Sequence, residues 1–323
     1  MRYIEIAGLD KKVSQVMMGT GWFAPQFEAD ILPMIDAYYA AGGRVLDTGR
    51  FYAGGVSESV VKKWLDLNRD KRETLVITSK ACHHYVDENN VHHLDKPRVT
   101  PEHITEDLEF SLKSLALDYF DVFLLHRDNL DVPVDGLMDR LEKHYQEGKY
   151  RVYGVSNWTI PRIEAAMNYC AQRGYAGLRV NSPSFSLAKV ETPRFQGAVY
   201  ACREEMDWFK NHELTVFAWA AQGAGFFGAS VPKNETAPAD IRKAYFTQEN
   251  FARLQRAEIL AEAKHCTATN ISLAYVLAQP LNIAGVVAPH SISQLASSLK
   301  ALDISLSTAD IAYLEANQSS TIG

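Results

Sequence analysis

Short apolar runs alternate with longer amphipathic segments along nearly the whole chain, a pattern typical of strands alternating with helices. The apolar runs predict eight strands, at 12–17, 44–47, 74–79, 119–125, 151–155, 177–182, 214–220 and 283–288. The amphipathic segments predict helices at 30–41, 57–67, 101–115, 134–147, 160–172, 200–211, 251–278 (broken near Thr269) and 292–301. Because each strand is followed by a helix, the strands must be parallel and joined by right-handed crossovers.

A closed (β/α)8 TIM barrel and an open doubly wound sheet both satisfy this alternation. The open sheet normally carries a GxGxxG turn after its first strand. Here Gly19-Thr20-Gly21 is followed by Trp22 and Phe23 without a third glycine. The sequence therefore favours the barrel, and the length of 323 residues is compatible with a single domain over 1–323.

Two further features shape this barrel. The runs Arg2 to Ile6 and Lys12 to Met17 flank Gly8-Leu9-Asp10 and predict a short N-terminal β-hairpin. The connections 81–100 and 221–250 are unusually long, and loops of this length in a compact domain are usually functional. Since both follow strands, we expect them on the face of the barrel where active sites are built.

Four polar residues end or closely follow predicted strands: Asp47, Tyr52, Lys80 and His126. A barrel delivers catalytic side chains from the carboxyl ends of several strands. Reduction of a carbonyl by a hydride donor also needs a proton, and a tyrosine with its ordinary pKa near ~10 gives one poorly unless a cation stabilises the phenolate. Lys80 can be that cation, Asp47 can hold Lys80, and a neutral His126 can orient the carbonyl oxygen.

Charge and hydropathy exclude some classes of function. The net charge of −6 and the pI near 5.9 give no sign of nucleic-acid or anionic-membrane binding. The first residues lack the apolar core of a signal peptide, and no apolar run approaches the ~20 residues that a membrane span needs. A cytoplasmic protein that acts on a small molecule is expected, and the oligomeric state stays open.

The chain resembles the aldo-keto reductases in several motifs. The family pattern of Asp, Thr, a small residue, Tyr, Gly and Ser-Glu is matched by Asp47-Thr48-Gly49, Tyr52, Gly54-Gly55 and Ser57-Glu58. Further matches are Ser79-Lys80, Asp121 with Leu125-His126, Gly154-Val155-Ser156-Asn157, Ala274-Tyr275, and the region from Pro289 to Leu302. The resemblance covers nearly the whole chain and implies the barrel fold.

The resemblance implies an NAD(P)H-dependent reductase of aldehydes or ketones, or the reverse oxidation. Tyr52 would be the proton donor, tuned by Lys80 and Asp47, and His126 would orient the carbonyl. Ser156 and Asn157 would bind the nicotinamide carboxamide. The full cofactor site implied by the resemblance is Gly19, Thr20, Gly21, Asp47, Ser156, Asn157, Ser182, Trp219, Ala220, Gly223, Gly225, His290, Ser291, Gln294 and Ser298.

Three departures from the family pattern concern the cofactor. Asn181-Ser182 stands where the family often has glutamine, and Ser182 is the nearer match. Trp219 replaces the usual stacking tyrosine, and core packing is its alternative role. His290 stands where arginine commonly binds the adenosine 2′-phosphate. NADPH is therefore expected over NADH, with a reduced preference.

The predicted substrate site mixes aromatic faces with hydrogen-bonding groups, which suits a sugar or another polyhydroxylated carbonyl compound. Its residues are Trp22, Phe23, Arg50, Phe51, His126, Arg127 and Asn129. The loop histidines His83, His84, His92 and His93 are interpreted as part of a polar substrate-side loop. Metal sites normally combine tighter spacing with carboxylate or thiolate partners, so no metal site is predicted.

Two alternatives keep the same fold. One is a cofactor-binding regulatory subunit, which the complete set of proton-transfer residues disfavours. The other is net non-redox chemistry on a sugar through transient oxidation, which would leave the cofactor unchanged overall.

Overall fold

Eight parallel strands close into a barrel in the computed structural model, which describes residues 1–86, 91–229 and 231–316. In chain order the strands are β1 (Tyr3–Ile4), β2 (Val13–Ser14), β3 (Val16–Gly19), β4 (Val45–Asp47), β5 (Val76–Ala81), β6 (Tyr85–Val86), β7 (His92–His93), β8 (Phe120–Leu125), β9 (Tyr150–Ser156), β10 (Leu178–Ser182), β11 (Thr215–Ala218) and β12 (Ile283–Val287). Around the barrel the order is β10-β11-β12-β3-β4-β5-β8-β9, and β9 pairs with β10 to complete the ring. The predicted (β/α)8 TIM barrel is confirmed.

Helices connect these strands. They are α1 (Glu28–Ala40), α2 (Ser57–Leu67), α3 (Pro101–Leu115), α4 (Val134–Gln146), α5 (Ile160–Arg173), α6 (Glu205–Asn211), α7 (Ala239–Tyr245), α8 (Gln248–Ala263), α9 (Ala268–Leu277), α10 (Ile292–Leu299) and α11 (Thr308–Glu315). The helices pack on the strands and on their neighbours, as between α4 and β9 and between α8 and α9. None of the helices in the described ranges is long and apolar enough to cross a membrane.

The apolar side chains form two layers, and the two-residue period of the strands assigns each side chain to one of them. On β4, Val45 belongs to the cluster that fills the barrel, whereas Leu46 belongs to the cluster shared with the helices. On β5, Val76 and Ile77 divide in the same way. Continuing the alternation turns Asp47 and Lys80 toward the barrel axis.

The opposite end of the barrel is held by Asp121, a fully buried carboxylate near the start of β8. Its Oδ2 accepts hydrogen bonds from Arg72 Nη1 and from the Ile77 backbone N–H, each at 2.8 Å. Its Oδ1 lies 2.8 Å from Lys11 Nζ. These contacts attach the hairpin loop and the segment before β5 to the barrel. Asp121, one of the motif residues, therefore lies far from the strand ends that carry the site.

The N-terminal hairpin is confirmed, but the prediction of one strand over Lys12 to Met17 is wrong. β2 pairs antiparallel with β1, and the barrel strand β3 begins only at Val16. The two are separated by Gln15, whose side-chain amide donates to the Leu277 carbonyl at 3.1 Å. The backbone changes partners at Gln15, because its N–H donates to the Arg2 carbonyl in the hairpin and its carbonyl accepts from the Gly285 N–H of β12, each at 2.9 Å.

Several boundaries also differ from the prediction. The break in the helix predicted at 251–278 lies at 264–267 and not at Thr269, because Thr267 caps α9 and His265 adopts a left-handed conformation with φ of 54°. The helix predicted at 200–211 begins at Glu205. Helices α7 and α11 and the antiparallel pair β6–β7 were not predicted.

Candidate active site

The four strand-end residues converge at the mouth of the barrel. Asp47 ends β4, Lys80 lies near the end of β5, and His126 directly follows β8. Tyr52 opens a tight turn after β4, Tyr52–Gly55, in which Ala53 and Gly54 are left-handed with φ of 49° and 68°. All four side chains line one cavity, as the sequence predicted.

Lys80 is the centre of the hydrogen-bond network. Its ammonium group donates to Asp47 Oδ1 at 2.6 Å and to the Thr48 carbonyl at 2.9 Å, and Thr78 Oγ1 donates to the same Asp47 oxygen at 2.8 Å. Burial lowers the pKa of Lys80, but the charge of Asp47 and the contact with Tyr52 more than offset this effect, so the net pKa is raised. Lys80 is therefore a fixed cation near neutral pH.

Tyr52 lies against this cation, since Lys80 Nζ is 4.8 Å from the centroid of the phenol ring. Burial raises the pKa of Tyr52, and the charge and hydrogen bond of Lys80 act in the opposite direction. Gly49 lies beside both side chains, and a Cβ there would be in van der Waals contact with Lys80 Cβ at 3.4 Å and with the Tyr52 ring at 3.6 Å. The phenol can thus release a proton next to a charge that stabilises its anion.

His126 presents a neutral imidazole to the same space. Its ring centroid is 5.5 Å from that of Tyr52 and 4.7 Å from that of His83. Burial, reinforced by the positive charge of neighbouring side chains, lowers the pKa of His126 well below 6.5. Nδ1 is buried without a hydrogen-bond partner in the described chain, and the backbone is fixed by Asn157 Nδ2, which donates to the His126 carbonyl at 3.0 Å.

The cavity has a volume of about 1290 Å³ and extends from these residues toward β12 and α10. Most residues expected to bind the cofactor line it: Gly19, Gly21, Asp47, Ser156, Asn157, Ser182, Trp219, Ala220, Gly225, His290, Gln294 and Ser298. Thr20, Gly223 and Ser291 do not line it. Thr20 Oγ1 is hydrogen-bonded to Ser57 and to the Asp47 carbonyl, and Ser291 Oγ caps α10 by accepting from the Gln294 N–H.

An elongated dinucleotide fits this groove. Trp219, which directly follows β11, lines the cavity, and its Nε1 is buried without a partner in the described chain. Ser156 Oγ donates to the Ser182 carbonyl at 2.7 Å and accepts from Asn157 Nδ2 at 3.0 Å, so this polar cluster is pre-arranged. Asn181, the weaker match for the family glutamine, does not line the cavity.

At the far end of the groove, two rings meet across the first and last barrel strands. His290, which follows β12, stacks on Trp22, which follows β3, with centroids 4.2 Å apart and planes at 19°. Burial lowers the pKa of His290, so its ring is neutral near pH 7. The side-chain oxygen of Gln294 accepts a hydrogen bond from the backbone N–H of His290 at 2.8 Å.

The structure brings only part of the predicted substrate set to the cavity. Trp22, Phe51, His126 and Arg127 line it, whereas Phe23, Arg50 and Asn129 do not. Phe23 is fully buried in the core. The guanidinium of Arg50 lies over the ring of Phe110 at 3.4 Å, and the Asn129 side chain accepts from the Asp131 N–H.

Sequence reasoning missed the segment that follows β10. This segment supplies Arg194, Phe195 and Gln196 to the cavity wall. Its length was a usable signal, because the gap between the strand predicted at 177–182 and the helix at 200–211 also exceeds ordinary loop lengths. Leu94, from the first long loop, and Thr269, at the start of α9, were also missed.

The first long loop folds over the site on one side. His83 and His84 line the cavity with ring centroids 3.8 Å apart, and β6 and β7 pair behind them. Residues 87–90 of this loop lie outside the described part of the chain. Within the described ranges, no three His, Cys, Asp or Glu side chains form a group that could hold a metal ion.

Comparisons with known proteins show the family of the chain. The model of the aldo/keto reductase family matches residues 15–318. An uncharacterized oxidoreductase, YrpG, of Bacillus subtilis is 24% identical over 95% of this chain and 92% of its own length. The aldo-keto reductase yakc [NADP(+)] of Schizosaccharomyces pombe is 26% identical over 82% of this chain and 75% of its own.

The fold has solved counterparts. The glycerol dehydrogenase AKR11B4 from Gluconobacter oxydans superposes with a TM-score of 0.79 at 23% identity, covering 97% of this chain and 94% of that one. Barrel, strand-end tetrad and elongated groove together define an oxidoreductase that acts on a small molecule with a nicotinamide cofactor. The chain belongs to the aldo/keto reductase family.

The low pKa of His126 predicts how the free energy of unfolding depends on pH. Below the ordinary pKa of 6.5 the unfolded chain takes up a proton at His126 that the folded protein excludes, so stability is lost as the pH falls. The His126→Gln variant lacks this titratable group and therefore its contribution to the pH dependence of stability. Relative to the variant, the wild type should lose up to about 1.4 kcal/mol between about pH 7.5 and pH 5.5 in urea unfolding. His212→Gln, at an exposed position, is the control; a wild-type-to-variant difference independent of pH would contradict the prediction.

Proposed function

We propose that this enzyme reduces an aldehyde or ketone to the alcohol, or catalyses the reverse oxidation, with Tyr52 as the proton donor. The observation that supports this most directly is the ion pair of Lys80 with Asp47 at 2.6 Å, placed against the Tyr52 ring in a cavity that His126 shares. When bound, the nicotinamide cofactor supplies or accepts the hydride.

Tyr52 protonates the developing alkoxide. The positive charge of Lys80 stabilises the phenolate that forms, and Asp47 keeps Lys80 in place through a charge-assisted hydrogen bond. Because the ammonium group also donates to the Thr48 carbonyl, its position does not depend on the substrate. This fixed geometry is electrostatic preorganisation of the kind that dominates many enzymatic rate enhancements.

His126 orients the carbonyl oxygen as a neutral hydrogen-bond donor. Its low pKa keeps the imidazole uncharged near neutral pH, so it does not compete with Tyr52 as an acid. The hydrogen bond from Asn157 to the His126 carbonyl keeps the ring beside the phenol.

The cofactor would lie along the groove between Trp219 and His290. The nicotinamide end would stack on Trp219, near Ser156, Asn157 and Ser182, because a large aromatic face stabilises a flat ring. Backbone turns at Ala220 and in 223–225 and the hydroxyl of Ser298 lie along the groove. Ser298 accepts from Gln222 Nε2 at 3.2 Å, so the hydroxyl links both walls of the groove.

The first test is removal of the phenol. Tyr52→Phe should lower kcat at least ~100-fold, the usual contribution of general acid catalysis, while the Kd for NADPH stays near the wild-type value. Lys80→Met should reduce kcat similarly, because the phenolate loses its cation. Steady-state reduction of 4-nitrobenzaldehyde and fluorescence titration measure the two quantities. Tyr313→Phe, at an exposed tyrosine, is the matched control; turnover of Tyr52→Phe close to wild type would remove Tyr52 from the mechanism.

We also propose that the enzyme prefers NADPH over NADH by a small margin. A neutral His290 cannot match the charge-assisted, often bidentate hydrogen bonds of arginine to a 2′-phosphate. The reductase of Schizosaccharomyces pombe, named for NADP(+), supports the choice of NADPH.

His290→Arg should widen the preference for NADPH about tenfold, in the range expected when a charge-assisted hydrogen bond is gained. Quenching of the tryptophan fluorescence gives both dissociation constants. His212→Arg, on the exposed surface, controls for the added charge. Unchanged Kd values for both cofactors in His290→Arg would mean that this residue does not face the adenosine ribose.

The substrate is proposed to carry hydroxyl groups, as in a sugar. Arg127 lines the cavity beside the aromatic side chains of Trp22 and Phe51, and an apolar ligand would leave its buried Nε and Nη1 atoms unpaired at ~1–3 kcal/mol each. Arg50 and Asn129 do not line the cavity, so they give the hydroxylated-substrate proposal no support.

A single domain over 1–323 and a cytoplasmic location stay predictions.

D-glyceraldehyde should therefore have at least a ~10-fold higher kcat/KM than butanal, a size-matched apolar aldehyde. Arg127→Met removes the unpaired nitrogens, so it should reduce this ratio, whereas Asn129→Ala should not. A clear preference for butanal in the wild type would refute the hydroxylated-substrate proposal.

A further inference from the structure

Arg127 carries a charge in the active-site cavity that no acidic side chain in the described ranges balances. It follows His126 in the chain and lines the same cavity. Its Nε and Nη1 atoms are buried without a hydrogen-bond partner among the described residues. Buried cations are ordinarily paired, because an unpaired charge in a protein interior is costly.

The nearby carboxylates are engaged elsewhere. Asp128, the next residue, places both oxygens 3.1 Å from Arg162 Nε. Asp47 is held by Lys80. Arg194, which lines the same cavity, is neutralised by Asp240, with Nη2 to Oδ2 at 2.6 Å. Among the described residues that line the cavity, Arg127 is therefore the cation without an acidic partner.

The backbone fixes Arg127 at the substrate end of the cavity. Trp158 Nε1 donates to its carbonyl at 3.1 Å, and Asn157 holds the preceding carbonyl. Burial lowers the pKa of Arg127, and the charge interactions with Tyr52 and Tyr200 act in the opposite direction. Arg127 shares its cavity with Tyr52 and Trp219, and the ring of Tyr200 lies edge-on to Trp219 with centroids 5.3 Å apart.

We propose that Arg127 binds a carboxylate of the substrate, so that the carbonyl compound reduced by this enzyme is an oxo acid. This inference rests on the proposed reductase function and narrows its substrate class. A carboxylate neutralises the guanidinium and accepts its hydrogen bonds in the planar geometry that arginine favours. Hydroxyl groups can accept from Arg127 too, but they leave its charge uncompensated.

The carboxylate takes no part in the redox step. A hydride adds to the carbonyl carbon, the phenol proton goes to the carbonyl oxygen, and the product is the corresponding hydroxy acid. The charge on Arg127 selects and orients the substrate, and its distance from the carbonyl end sets the spacing between the two functional groups.

The test compares 4-formylbenzoate with methyl 4-formylbenzoate, which have the same ring and aldehyde but differ in charge. The wild type should have at least a ~10-fold higher kcat/KM for the acid, and Arg127→Met should bring the ratio of kcat/KM for acid and ester close to one. Arg127→Lys should restore part of it. Arg151→Met, at an exposed arginine at the opposite end of β9, should behave as wild type.

A binding measurement separates this inference from the proposed function. Benzoate should bind the wild-type complex with NADP⁺ at least ~10-fold more tightly than benzamide, and Arg127→Met should equalise the two. This readout decides the role of Arg127 even if neither aldehyde is reduced, a result that would count only against the reductase proposal. Equal binding of benzoate and benzamide by the wild type, or a large loss of NADPH affinity in Arg127→Met with no change in selectivity, would overturn the inference.

Discussion

The ion pair between Lys80 and Asp47 is the interaction on which the site depends. Both side chains are buried, and removal of one partner from such a pair typically costs about 3–5 kcal/mol because a charge is left without compensation. The pair joins β4 to β5, where Asp47 is in register with Thr78, and Lys80 lies two residues further on the same side of its strand. The register of two parallel strands thus determines where the ammonium group meets the phenol.

The electrostatic states of the neighbouring groups follow from this pair. Lys80 stays charged because Asp47 compensates it, and the positive charges around His126 add to burial in keeping that imidazole neutral. Three basic side chains within one cavity therefore differ in function: Lys80 is a paired cation, His126 a neutral donor, and Arg127 a cation that lacks an acidic partner in the described residues. Burial and ion pairing set the charge state, and so the role, of each of these three side chains.

The sequence predicted well what the period of the strands controls. Alternation along β4, β5 and β8 turns Asp47, Lys80 and His126 to the barrel axis, so their meeting follows from the barrel fold alone. The site predictions that failed concern residues whose positions depend on tertiary packing. Phe23 has an aromatic side chain like its neighbour Trp22, yet it packs into the core, and Arg50 lies on Phe110, a contact between distant segments that no local pattern encodes. The change of backbone partners at Gln15, from Arg2 to Gly285, is equally non-local.

The stacking of Trp22 on His290 has a consequence for how the protein acquires its site. The two rings are carried by the first and last strands of the barrel, which pair with each other only when β12 joins β3. Contacts between residues so distant in sequence form slowly, because the entropy of closing a long loop must be overcome before they stabilise anything. The end of the groove that the Trp22 and His290 rings form is therefore complete only after β12 has paired with β3.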